Sequence, residues 1–119
     1  MKNVDYLKQN AIDVETGLEL LGDMEIYEET LKDFIEECGS RLPKLVEYKE
    51  NLDMQNYAIL VHSLKSDSKY LGFRMLAEMA LEHEMKSKAN DVEFVCNNFH
   101  ILLNETTRIL TVIKNYLGD

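Results

Sequence analysis

His62 sits in the run Val61-His62-Ser63-Leu64-Lys65-Ser66-Asp67-Ser68-Lys69-Tyr70-Leu71-Gly72. A helix turns by about 100° per residue, so His62, Lys65, Ser66 and Lys69 fall on one narrow stripe, while Leu60, Leu64 and Leu71 fall on the far side. Burying the leucines therefore presents the imidazole to water. An imidazole can act as a nucleophile near neutral pH. Ala58 and Ser66, one turn to either side, are small and leave the ring open to a bulky partner. Lys65 and Lys69 follow at one and two turns, where ammonium groups would compensate the charge of about -2 on an added phosphoryl group. Ile59 and Tyr70 form an apolar shoulder suited to docking another protein. A solvated helix face with chance spacing fits the same residues.

Other chemistry is sparse. The chain has no glycine-rich phosphate loop, no Walker pattern and no GxSxG elbow. His83-Glu84 lacks the second histidine of a helical zinc site. The acid pairs Glu28-Glu29, Glu36-Glu37 and Glu82/Glu84 read as solvated helix faces. His83, on the apolar side of its helix, and His100, beside Phe99, read as structural or boundary histidines.

The net charge of -9 supplies no basic field for nucleic acid or for an anionic membrane surface. No stretch is long and apolar enough to span a bilayer, and no signal-peptide pattern opens the chain. Two cysteines, Cys38 and Cys96, lie far apart in sequence and read most simply as reduced, partly buried thiols of a cytoplasmic protein.

One proline and five glycines in 119 residues leave few turns, so the elements that carry the stripe must be long. No alternating run reads as a strand. Met24, Tyr27, Leu31, Phe34, Ile35, Leu42, Leu45 and Val46 predict an amphipathic helix from Asp23 to about Asn51, bent or briefly broken at Gly39 and Pro43. A second runs from an Asp53 cap through His62 to Gly72, a third from Arg74 to Lys88, and a fourth from Val92 towards Leu117. Two shorter helices precede them, over Val4 to Asn10 and over Asp13 to Leu21, the latter stopped by Gly22. Long helices with short connections predict an all-α fold, an antiparallel four-helix bundle with one or two short accessory N-terminal helices, and one domain over 1–119.

The run from His62 to Gly72 resembles the histidine phosphotransfer (HPt) signature, H-x-L-K-G/S-x-S/A-x-x-L/I/V-G. Upstream, Gly17-Leu18, Leu21-Gly22-Asp23, Tyr27, Leu31 and Phe34 resemble the family's N-terminal segment. Downstream, Leu76, Ala80 and Glu84 resemble its L-x-x-x-A-x-x-x-E helix. The resemblance spans about residues 13 to 90. It implies that His62 accepts a phosphoryl group, with Lys65 as the motif lysine. Ser66 stands where glycine is usual, Phe73 where alanine is common, adding an aromatic docking contact, and His83 where leucine is usual.

The resemblance implies a phosphorelay intermediate that takes its phosphoryl group from a receiver-domain aspartate and passes it to another response regulator. The partners would be receiver domains or a hybrid sensor histidine kinase. Lys65 and Lys69 would compensate the phosphoryl charge, and Ala58, Ile59, Ser66, Tyr70 and Phe73 would dock the partner. The chain is read as a monomer that needs no cofactor or metal of its own, the divalent cation belonging to the receiver, and as no kinase. A non-catalytic helical adaptor using the Ile59/Tyr70/Phe73 shoulder is the alternative.

Overall fold

The structure, a computed structural model, describes residues 3–118. It contains α1 (Val4–Gln9), α2 (Val14–Leu21), α3 (Met24–Glu50), α4 (Met54–Leu71), α5 (Arg74–Lys88) and α6 (Val92–Leu117). Aspartates start four of them. The side chains of Asp13, Asp23, Asp53 and Asp91 accept from the backbone N–H three residues on, satisfying donors that the first turn leaves free. At the other end of α4, Gly72 takes the left-handed conformation, φ 82°.

The connections 51–53, 72–73 and 89–91 are too short for anything but reversal, so α3 to α6 run up and down as an antiparallel bundle. Each packs against two others of the four, α4 between α3 and α5, α6 between α5 and α3. The core contains Tyr27, Leu31, Phe34 and Leu45 of α3, Tyr57, Val61, Leu64 and Leu71 of α4, Leu76 and Ala80 of α5, and Val95, Phe99, Leu102, Ile109 and Ile113 of α6. Arg41 of α3, itself buried, bonds Asp67 of α4 at 2.8 Å and Glu37 at 3.0 Å.

Two sequence expectations change. The α3 helix runs unbroken through Gly39 and Pro43 for 27 residues. Both residues lie on the solvent side, where water can serve the Gly39 carbonyl that proline leaves without a donor. Val46 points outward and adds little to the core.

The accessory helices close one end. Helix α1 packs on α6 and α2, and α2 packs on α3 and α4. Asp13 N–H donates to the Gly72 carbonyl at 2.9 Å, and Tyr27 Oη donates to the Leu71 carbonyl at 2.7 Å. This backbone-close seam needs two glycines. A Cβ on Gly72 would collide with the Asp13 backbone, and one on Gly17 with the Tyr27 ring. The seam thereby holds the C-terminal half of α4, the half that carries the lysine stripe.

Both cysteines are free. Cys38 is buried, and burial, partly offset by Arg41, pushes its thiol up to about 11, whereas Cys96 is exposed on α6. Among the described residues no helix is long and apolar enough to cross a membrane.

Candidate functional site

Helix α4 turns its leucines into the bundle and leaves the His62 side chain 56% exposed at mid-helix. Its partner comes from the next helix. Ala77, Ala80, Glu84 and Ser87 are among the buried residues of α5, which packs closely on α4, and the small ones let the two helices approach. That approach leaves Glu84 with a side chain only 5% exposed.

A buried carboxylate must be paired. Glu84 accepts from three groups, with Oε1 taking Lys65 Nζ at 2.8 Å and Oε2 taking both His62 Nδ1 at 2.8 Å and Lys88 Nζ at 2.7 Å. Burial alone would raise the carboxyl's pKa, but the hydrogen bonds from Lys65, Lys88 and His62 outweigh it and bring it down to about 2. An ionised carboxylate offers acceptors only. Nδ1 of His62 must therefore be the donor, and the lone pair of the neutral ring is left on Nε2. A ring held this way presents one defined nucleophilic nitrogen to solvent.

Beside the ring, a cleft of about 620 Å³ runs between α4 and α5, lined by Met54, Ala58, Ile59, His62, Glu84 and Lys88 among others. On the other side a hollow of about 380 Å³ is lined by Leu20 of α2 with Lys65, Ser66, Lys69 and Tyr70. His62 lines the first of the two.

The structure brings most of the sequence-predicted site residues onto one face and rearranges their parts. Ile59 and Tyr70 are exposed apolar side chains on α4, Ala58 is the buried floor of the cleft, and Ser66 is half-buried. Lys69 is exposed, whereas Lys65 is only 17% exposed and held by Glu84. Phe73 does not belong to the face. It is 1% exposed and packs edge-on against Phe34 with ring centroids 5.1 Å apart, because the left-handed Gly72 turns the chain inward before α5. The reading of Glu84 as a solvated acid is likewise overturned by its burial. Sequence reasoning missed Glu84 and Lys88 as site residues. The glutamate of the downstream motif and its i,i+4 lysine were the available signals.

The other histidines stand apart. His83 is buried, meets the Tyr57 hydroxyl through Nδ1 at 2.9 Å, and burial, opposed by a backbone hydrogen bond at Asn98, pulls its pKa down to about 4. It is a neutral core residue. His100 is exposed on α6. Among the described residues, no three His, Cys, Asp or Glu side chains converge as a metal site requires.

The family model of the Hpt domain matches residues 25–113, from the first turn of α3 into the last turns of α6. No curated protein and no solved structure matches the chain. Since the family match takes in all four helices of the bundle and most of the chain, the protein belongs to the Hpt domain family, the histidine phosphotransfer modules of two-component phosphorelays.

Proposed function

We propose that His62 is the phosphoacceptor, taking a phosphoryl group from the aspartyl phosphate of a receiver domain and passing it to another response regulator. The observation that carries this reading is the bond from His62 Nδ1 to ionised Glu84, which leaves the lone pair on Nε2 of a side chain more than half exposed. In the forward step Nε2 attacks phosphorus in line. The N–P bond forms as the P–O bond to the aspartate breaks, and the electron pair of that bond stays on the departing carboxylate. The Nδ1 proton remains on the ring, where Glu84 compensates the positive charge the ring acquires. Reversal of the same step onto a second receiver discharges the module.

Phosphoryl transfer of this kind asks mainly for positioning and charge compensation. Glu84 positions the ring, Lys65 holds Glu84, and Lys69 is the exposed cation at the rim for the incoming phosphoryl oxygens. The receiver supplies the divalent cation and the acidic groups. Ile59, Ser66 and Tyr70, with Ala58 beneath, form the surface on which the receiver or the receiver of a hybrid kinase docks.

Incubating the protein with receiver domains charged by acetyl phosphate tests this. Wild type is expected to take up label and His62→Gln to take up none; equal labelling of the two overturns the proposal. Binding of receivers without any transfer would instead favour a helical adaptor.

A further inference from the structure

Resting on the reading of His62 as phosphoacceptor, we propose that Lys88 is a positioning residue that sets the basicity of the His62 ring through Glu84. Lys88 lies one turn after Glu84 in the last turn of α5. An i,i+4 Glu–Lys pair near a helix C-terminus is usually a minor surface contact favoured by the helix dipole. Three observations set this pair apart.

Glu84 is buried, so its carboxylate is satisfied by the groups bonded to it and not by bulk water. Lys65 already neutralises it from Oε1, which makes Lys88 a second cation on one anion. Lys88 also takes the same oxygen as the ring: Oε2 lies 2.7 Å from Lys88 Nζ and 2.8 Å from His62 Nδ1. Lysine and imidazole therefore divide one acceptor. Lys88 weakens the pull of Glu84 on the Nδ1 proton, and its charge opposes a second positive charge on the ring. Both effects keep the imidazole neutral, the form that attacks phosphorus.

Glu84 bonds the ring and carries Lys65 of α4 and Lys88 of α5, and Lys69 follows on α4 two turns beyond His62. The α3 charges facing α4, Glu37 and Arg41, are engaged with one another and with Asp67, and Asp13, at the start of α2, is engaged with Thr16 and Arg74. Lys88 is the ammonium on Glu84 free enough to move, 64% exposed against 17% for Lys65.

The test is an NMR titration of the His62 ring at low salt in wild type, Lys88→Met and Lys88→Arg, with His62→Gln assigning the resonance. In Lys88→Met the titration midpoint is expected to rise by about half a pH unit, the effect of one charge at roughly 5 Å in a water-like dielectric. Lys88→Arg should stay at the wild-type value. An unmoved midpoint in Lys88→Met overturns the proposal. Since the ring is read without any receiver, that result is independent of labelling, and a protein that never labels at His62 would instead defeat the phosphotransfer reading. In labelling assays the pH profile of transfer should move with the ring.

Discussion

His62 Nδ1 and Glu84 Oε2 lie 2.8 Å apart although 22 residues separate them in the chain. The bond crosses from α4 to α5 and joins an exposed ring to a buried carboxylate. It fixes the tautomer, because an ionised carboxylate cannot donate. It also makes the chemistry of α4 depend on a residue that α5 supplies.

Replacing the carboxylate by an amide should therefore disturb the ring more than the fold. In Glu84→Gln, Lys65 and Lys88 lose their shared anion and Nδ1 loses a charged acceptor. Transfer to His62 is expected to fall by about 10- to 100-fold, by analogy with loss of the carboxylate that orients a metal-ligating histidine. Nitrogen-15 shifts of the ring should show a mixture of tautomers. A rate equal to wild type would remove Glu84 from the positioning role.

The inward turn at Gly72 separates two aromatic neighbours into different jobs. Phe73→Ala should cost about 3 to 5 kcal/mol, as for other buried aromatics, and should be read by urea denaturation. Tyr70→Ala should leave stability within about 0.5 kcal/mol, like most surface changes, while weakening receiver binding in calorimetry. A Phe73 variant of wild-type stability would contradict the packing against Phe34.

His83 predicts an acid sensitivity. Its folded pKa of about 4 lies below the ordinary histidine value of 6.5, so unfolding takes up a proton between the two. The stability it protects is complete above about pH 6.5 and is lost as pH falls towards 4; from pH 7 to about pH 5 the loss is about 2 kcal/mol. The double variant Tyr57→Phe/His83→Leu removes both the ring and the hydroxyl that would otherwise be left unpaired. Its urea midpoint should change less over that interval than wild type; an equal change would place the acid sensitivity elsewhere.

Gly72 predicts a strain that glycine alone avoids. In Gly72→Ala the left-handed backbone costs about 1 to 2 kcal/mol, and the new methyl meets the Asp13 backbone. The thermal midpoint is expected to fall by several degrees, with faster amide exchange in α2. Unchanged exchange in α2 would mean that the seam between Asp13 and Gly72 contributes little.

The elements were legible because their signals are local. Aspartate caps, three- and four-residue apolar spacing and a glycine stop each act within a turn or two of the residues they govern, and the helices begin and end close to where those signals place them. The family motif around His62 was legible for the same reason, since its residues share one helix. Pro43 shows the limit. Its missing N–H favours a break, but exposure of the Gly39–Pro43 side and burial of Tyr27, Leu31, Phe34, Cys38, Arg41 and Leu45 along the other hold α3 together.

Sequence alone thus determined which side of α4 would face water, and with it the exposure of the ring. It could not determine what the ring would bond, because hydrogen-bond partners between helices follow from how the helices pack. Only the close approach of α4 and α5 buries Glu84, brings Lys65 of α4 onto it beside Lys88 of its own helix, and turns a glutamate that reads as surface into the acceptor for Nδ1. The same packing sends Phe73 into the core. Periodicity reports the face of one helix, whereas the depth of a side chain depends on the neighbour laid against it.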